Sequence, residues 1–361
     1  MIELVRTFHP VGFGAFYVEK HSFNHETTTI VYDCGTKEHI NFLKSIIREE
    51  FPEKGKVIDV LFISHFDKDH VSGIPFLKKH CKIKKVIIPY LSEEDRLLFV
   101  YAKKGLREYK QLIVNTENYF GRETKVYRVL SDSNRQHELD KSNEFSDNSQ
   151  RVVGHILQSG VSLDSLNILS NWTLIPFNYD YAEQISKLKE KLNCLKLDYK
   201  RFKDENYICE HYKKIKKAYK ELYPKSKQND ISLMLYSGTK TRNELFASYC
   251  GYVYHKPFFK LGCLYLGDVS LQKDGCMNML RERLGNRMQD IGTIQIPHHG
   301  SQFNFDKEIL KSGVLSVISC DFKSYNLPSD SVIKSIVEAG SQLFVVTHQK
   351  ETKLDEDLEY K

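Results

Sequence analysis

An α/β fold is predicted from three observations. Short apolar runs of strand length alternate with stretches of helical periodicity along most of the chain. Several of those runs end in Gly, Asp or His, as strands do when they leave a sheet for a turn. Hydrophobic residues make up 41% and aromatic residues 12% of the 361 positions, which supplies a substantial core and excludes a disordered chain. That length suits one large α/β unit carrying an insertion, or two domains; the reading taken here is a single domain over residues 1–361.

The elements follow in order. Val5 to Ala15 reads as a strand breaking into a glycine turn, with a second strand resuming at Phe16. Thr28 to Gly35 is a β-branched third strand that ends in Asp33 and Gly35, and Ile40 to Glu50 is an amphipathic helix. Val60 to Ile63 is a buried strand, a helix opens near Val71, and Lys84 to Tyr90 is the next strand. Ser92 caps a helix expected to run towards Lys110. Residues 131–150 are polar and unpatterned, and Trp172 to Phe177 resembles a strand.

Segment 180–227 is expected to be a lysine-rich helical insertion, because Leu188, Leu192, Leu195 and Tyr199 recur at helical spacing, as do Tyr212, Ile215 and Tyr219. Between residues 187 and 227, thirteen Lys and one Arg stand against six acids, an excess of eight positive charges in a chain that nets +6. The basic character is therefore local. A charge run is commonly a solvated helix face; the functional reading is a basic surface with interleaved tyrosines turned towards nucleic acid. The α/β pattern then resumes. Strands are expected at Asn229 to Tyr236, Phe258 to Leu266, Thr293 to Pro297, Val314 to Ser319 and Gln342 to Val346. Helices are expected around Met277 to Leu284 and over Ser329 to Ala339, and the acidic tail from Glu351 is expected to be frayed.

Several function classes are excluded. The eight cysteines contain no C-x-x-C pair, which argues against a zinc ribbon and against a disulfide framework. No apolar run reaches the length of a membrane span, and the first residues alternate like a strand rather than a signal peptide, so a cytoplasmic protein without a membrane partner is expected.

The chemistry concentrates at three strand ends. His65, Asp67, Asp69 and His70 fall within six residues directly after the strand ending at Ile63. That spacing can aim His65 and Asp67 at one divalent ion and Asp69 and His70 at a second. Asp268 follows Gly267 at the end of another strand, and its two oxygens can bridge a pair of cations. His298 and His299 stand before Gly300 and Ser301; one completes the metal shell and the other can donate to a substrate oxyanion. Asp33 is either a turn former or a carboxylate that orients a metal-bound histidine through its free ring nitrogen. Asp69, His299 and Asp33 are the candidates for direct or supporting roles in catalysis. His155 is set aside as a ligand because its flanks pattern as an amphipathic helix.

The ordered set His65-x-Asp67-x-Asp69-His70, Gly267-Asp268 and His298-His299-Gly300-Ser301 resembles the metallo-β-lactamase superfamily. Within it the chain is most similar to the ComEC-type hydrolase domain, which also has Asp at the place of Asp67. The turn Val11-Gly12-Phe13-Gly14, Asp33-x-Gly35 and Asn229-x-x-Ser232-Leu233 match that pattern in order, over about residues 4–130 and 228–348. The resemblance implies an αββα sandwich with two divalent metal ions, Zn or Mn, at one edge and hydrolysis by a metal-activated water. It points to a phosphodiester substrate in DNA or RNA. Two departures stand out. Asn326-Leu327-Pro328-Ser329 replaces the usual Gly-His-Pro-Ser, leaving His348 as a candidate substitute, and the ComEC membrane channel has no counterpart. The other readings are a small-molecule phosphodiesterase acting on nucleotide or phosphorylcholine-like esters, and an interaction module with a weakened site in a multi-protein, defence-type system.

Overall fold

The computed structural model describes residues 2–102, 106–131, 155–179, 182–222, 232–240, 245–250, 260–322 and 326–360. The chain opens with strands β1 (Ile2–Phe8), β2 (Gly14–Phe23) and β3 (Glu26–Thr36), then helix α1 (Ile40–Glu50). Next come β4 (Val57–Phe62), α2 (Lys68–Val71), α3 (Ile74–His80) and β5 (Lys82–Pro89), followed by α4 (Glu93–Ala102), α5 (Lys110–Val114) and α6 (Thr116–Phe120). Strands β6 (Lys125–Leu130), β7 (His155–Gln158) and β8 (Trp172–Asn178) lead into helices α7 (Ala182–Cys194) and α8 (Glu205–Leu222). After β9 (Leu233–Thr239), β10 (Leu245–Cys250) and β11 (Gly262–Tyr265) come α9 (Cys276–Leu284), β12 (Ile291–Gln295) and β13 (Leu315–Ser319). Helix α10 (Asp330–Glu338), β14 (Gln342–Val346) and β15 (Leu354–Tyr360) complete the chain.

Among the described residues these strands form two sheets. Nine are ordered β10-β15-β1-β2-β3-β4-β5-β6-β7, and six are ordered β14-β13-β12-β11-β9-β8. Strands β3 to β7 run parallel to one another, as do β11 to β14, so each step between them needs a crossover.

Period-two alternation decides which side chain joins which layer. Val31 and Leu61 face the helices outside the large sheet, while their neighbours Ile30, Tyr32, Val60 and Phe62 face the small sheet. On the small sheet Leu233, Leu235, Cys263, Tyr265 and Val317 turn inwards, while Met234, Tyr236, Leu264 and Ile318 meet α9 and α10. Three apolar layers thus separate helix, sheet, sheet and helix, and the mixed α/β fold is the αββα sandwich that the resemblance implied. Each fully buried Leu, Val or Phe contributes about 1.5–3 kcal/mol relative to exposure.

The segment expected to be a helical insertion carries α7 and α8; α8 and the 3-10 turn Tyr199–Lys203 pack on α4, α7 packs on α8, and Leu188, Leu192, Phe202, Ile208, Ile215 and Tyr219 join the same apolar layer. Its described tyrosines turn largely inwards, with Tyr212 half-buried beside Arg107 and Lys216. Tyr207 and Tyr219 are buried, and the Tyr199 hydroxyl donates to Asp95.

Three local expectations are corrected. The tail is not frayed: Leu354, Glu356, Leu358 and Tyr360 point inwards on β15, which lies between β1 and β10. Glu356 sits opposite Arg6 and pairs with it at 3.0 Å inside the core, so the acidic composition conceals a strand with a buried counter-charge. His155 lies on strand β7, not a helix, and stacks on Tyr127 with ring centroids 4.9 Å apart. The helix from Ser92 also does not run unbroken to Lys110: α4 is described over Glu93–Ala102, and a 3-10 turn at Leu106–Tyr109 precedes α5. Residues 132–150, Asn229 and Phe258 lie outside the described residues. No helix among the described residues is long and apolar enough to cross a membrane.

Candidate metal centre

Parallel strands end at a common rim, and the chemistry gathers there. After β4 the chain runs through Ser64 and His65 and enters α2, so Asp69 and His70 project from a helical turn rather than a loop. That turn rests on the end of β3 at Gly35, where a Cβ would lie 2.4 Å from the Asp69 carbonyl carbon and from the His70 nitrogen. Only glycine permits this approach. On the small sheet, Gly267 adopts a left-handed backbone (φ 55°) and a Cβ there would meet Ser232 Oγ at 2.2 Å. Gln295 fixes this turn from β12, its Oε1 accepting from the nitrogens of Leu266 at 2.8 Å and Gly267 at 2.7 Å. His298 and His299 are both left-handed, at φ 48° and 54°, a conformation that costs a non-glycine residue about 1–3 kcal/mol. Bonds from His298 N to Gly267 O and from Ser301 N to His298 O, both 3.0 Å, hold it in place.

Four imidazoles turn Nε2 towards two carboxylates. Nε2 of His65 and of His298 lie 3.7 Å from Asp268 Oδ2, and His70 Nε2 lies 3.2 Å from Asp268 Oδ1. His299 Nε2 lies 3.3 Å from Asp69 Oδ2. Ligand atoms of Asp69, His70, Asp268 and His299 all fall within 4.8 Å of one another, and all four residues are buried. Each ring is held from behind through Nδ1. Asp33 Oδ2 is 2.7 Å from His70 Nδ1, Ser319 O is 2.6 Å from His299 Nδ1, and Asn304 Oδ1 is 2.7 Å from His298 Nδ1. The hydroxyls of Ser64 and Ser232 lie 3.0 and 3.4 Å from His65 Nδ1.

An acceptor facing Nδ1 draws the ring proton there and leaves the Nε2 lone pair directed inwards. Lone pairs directed at carboxylates are satisfied in one of two ways: by a second ring proton, or by a cation lying between. Burial opposes charge on His70, but Asp268 and Asp33 raise its pKa well above the usual value. Burial likewise opposes charge on Asp268, yet His70, His298 and His65 hold it well below the ordinary carboxylate range. Asp69 is also held low against its burial, by His299, His70 and Lys37. The Lys37 ammonium sits 2.9 Å from Asp69 Oδ2 and 3.8 Å from the Phe13 ring centroid, while Phe13 packs on His299 with centroids 4.0 Å apart. This mixed imidazole–carboxylate donor set suits a divalent transition metal. His70 Nε2, buried without a hydrogen bond, is an atom such an ion would satisfy.

The structure therefore brings His65, Asp69, His70, Asp268, His298 and His299 to one point, with Asp33 directly behind His70. Asp33 is fully buried, accepts from Ser64 N at 2.7 Å and Ser64 Oγ at 2.6 Å, and is itself left-handed at φ 58°. Asp67, half-buried ahead of α2, is not one of the four clustered ligands. His348 pairs with Asp321 at 3.5 Å. Sequence reasoning gave no role to Lys37, Ser64, Gln295 or Asn304. Of these only Lys37, a cation just past a strand end, left a signal that could have been read.

Residues 15–140 match the family model of the metallo-beta-lactamase superfamily. Among solved structures the chain is similar to the metallo-beta-lactamase fold protein YhfI from Bacillus subtilis, at 9% identity and a TM-score of 0.42, over 98% of this chain and 100% of that one. It is similar to unliganded yeast PDE1 at 10% identity and 0.46, over 98% and 99% of the two chains. A long form RNase Z from yeast aligns at 8% identity and 0.36, over 89% of this chain and 37% of that one. No curated protein matches the sequence significantly.

Proposed function

We propose that this chain is a metal-dependent hydrolase of the metallo-β-lactamase superfamily that cleaves phosphodiesters, acting on DNA or RNA as the ComEC-type resemblance implies. One observation carries the reading: four histidines, each backed through Nδ1, converge by Nε2 on Asp69 and Asp268. Those six residues would hold one or two Zn or Mn ions, with Asp67 positioned nearby. Bound divalent cations lower the pKa of water towards neutrality and offset charge on a phosphoryl group.

The chain's own residues supply the rest. Asp33 fixes the orientation and tautomer of His70, and Ser319 does the same for His299. Lys37 and Lys68 line a cleft of about 400 Å³ with Thr36, Glu38 and Ser72, next to Asp69. Their ammonium groups suit an anionic substrate. The basic hairpin supports a polyanion in particular. Its turn, with Lys196, Lys200, Arg201 and Lys203 exposed, packs on the first turn of α4 through Tyr199–Asp95 and Lys203–Glu94 contacts. Because α4 follows β5, whose end lies beside that of β4, those cations stand on the side of the sandwich where the centre opens. Backbone-neutralising lysines make binding strongly salt-dependent.

The test is incubation of labelled single- and double-stranded DNA and RNA with purified protein under Mn²⁺, Zn²⁺ or chelator. Metal content and turnover are measured for wild type and Asp268→Ala. Cleavage that requires metal and disappears with Asp268→Ala is expected. Metal-free, inert protein would favour an interaction module instead. Turnover of small phosphodiesters alone, unaffected by salt and by neutralising the hairpin lysines, would favour the small-molecule phosphodiesterase.

A further inference from the structure

The metal centre accounts for the buried polar side chains at the rim, but not for two apolar rings left in solvent there. Phe303 and Phe322 are 59% and 60% exposed. Phe303 stands four residues past His299, in the turn whose Asn304 holds His298 Nδ1 at 2.7 Å and donates to Asp268 O at 3.1 Å. Its own backbone is fixed, the nitrogen donating to Ser301 Oγ at 3.3 Å and the carbonyl accepting from Ser270 Oγ at 3.2 Å. Phe322 stands three residues past Ser319, whose carbonyl holds His299 Nδ1 at 2.6 Å. Both rings are thus rooted in the loops that position the two adjacent histidines, on the small-sheet side of the rim. On the large-sheet side, Lys37, paired with Asp69 at 2.9 Å, and Lys68 line the neighbouring cleft.

A single exposed phenylalanine needs no explanation. Two, each within four residues of a group that holds the centre, offer together with the lysines of the neighbouring cleft the two chemistries that a nucleotide requires. An aromatic face stacks on any base, and an ammonium pairs with the phosphate between bases. We propose that Phe303 and Phe322 form a stacking platform for the nucleobases flanking the phosphodiester at the metal centre. This rests on the phosphodiesterase reading and makes its substrate a base-bearing strand. In the α7–α8 hairpin Tyr207 and Tyr219 are buried and so do not offer a base their faces.

The test uses two single-stranded oligonucleotides of equal length and charge, one of thymidylate and one of abasic residues, each end-labelled. Binding to the full chain is measured by fluorescence anisotropy in chelator, so no step depends on hydrolysis. Wild type is expected to prefer the base-bearing strand by roughly tenfold, the scale of one stacked base. The double variant Phe303→Ala/Phe322→Ala should lose that preference while keeping its affinity for the abasic strand, and Phe303→Tyr/Phe322→Tyr should restore it. Equal wild-type affinity for the two strands, or a preference that survives removal of both rings, overturns the proposal and leaves the rings to a protein contact. Metal-dependent cleavage by wild type, read separately, tests the underlying phosphodiesterase reading.

Discussion

Asp33→Asn isolates the carboxylate behind His70 with little other change. Asparagine keeps the shape and tolerates the left-handed backbone at φ 58°, so the turn after β3 need not move. The aspartate accepts three bonds: from Ser64 N at 2.7 Å, from Ser64 Oγ at 2.6 Å, and from His70 Nδ1 at 2.7 Å. With its oxygen in the place of Oδ1 an asparagine keeps the bond from Ser64 N, and its amide nitrogen then occupies the place of Oδ2, turning N–H towards Ser64 Oγ and His70 Nδ1. Nδ1 can accept that bond only if the ring proton moves to Nε2, where it points at Asp268 Oδ1, 3.2 Å away. The lone pair a metal would use is lost, together with the charge that raised the ring's basicity. Removing such a supporting carboxylate costs about 10–100-fold in metal affinity, or about 1.4–2.8 kcal/mol. Competition with a chromogenic chelator for Zn²⁺ and Mn²⁺ reads this directly, with thermal unfolding of the metal-free protein as the folding control. An Asp33→Asn protein that folds and binds metal as tightly as wild type would refute the role given to Asp33.

Gly35→Ala should displace α2, since its Cβ would lie 2.4 Å from backbone atoms of Asp69 and His70. A stability loss of about 1–3 kcal/mol in urea unfolding is expected, with weakened metal binding alongside it. Acid unfolding should have a separate origin. Burial disfavours the charged form of Glu50, but His9 at 3.0 Å and the Lys20 ammonium outweigh it and lower its pKa to about 2 from 4.5. A lowered carboxylate pKa stabilises the fold above the unfolded value, and that contribution is lost as pH falls from about 4.5 towards 2, by about 3 kcal/mol. Denaturant midpoints of wild type should therefore drop more steeply across that window than those of Glu50→Gln; parallel slopes would contradict the assignment.

Much of this architecture was legible because period-two alternation is a local property. Val60 to Ile63 could be read as a buried strand without knowing its neighbours, and α1 occupies the predicted residues Ile40–Glu50. The candidate ligands that gather at the rim were legible because each follows an apolar run, so chain order placed them at strand ends. Misreadings arose where composition masked pattern. The tail's five acids from Glu351 to Glu359 hid the inward set Leu354, Glu356, Leu358 and Tyr360. The lysines of the hairpin drew attention to charge, although its tyrosines pack inwards on α4. Asn304 and Ser319 were invisible for another reason. Their partners His298 and His299 are selected by folded geometry, through a side-chain oxygen and a backbone oxygen that carry no sequence signature.

The centre is divided between the two sheets, so its geometry depends on how the sheets are registered. His65, Asp69 and His70 come from the large sheet, and Asp268, His298 and His299 from the small one. Asp268 meets histidines from both, which means that a shift of one sheet by an ångström would open the cluster. Buried tyrosines oppose such a shift. Tyr32 on β3 donates to Leu233 O across the interface at 2.6 Å, and Tyr17 on β2 donates to Ser319 Oγ at 3.0 Å. The second bond ends on the residue whose carbonyl orients His299. Farther along the same interface, Arg6 on β1 pairs with Glu19 at 2.7 Å and Glu356 at 3.0 Å and donates to Leu261 O beside β11 at 3.0 Å. Both ion pairs lie within the large sheet, and their carboxylates reach the small one by accepting from Ser237 Oγ at 2.6 Å, the Tyr265 hydroxyl at 2.8 Å and Thr293 Oγ1 at 2.7 Å. A sliding sheet would have to break several such contacts together. The polar atoms buried between the sheets therefore act at a distance on the site, fixing the relative position of Asp69 and Asp268 without touching either carboxylate.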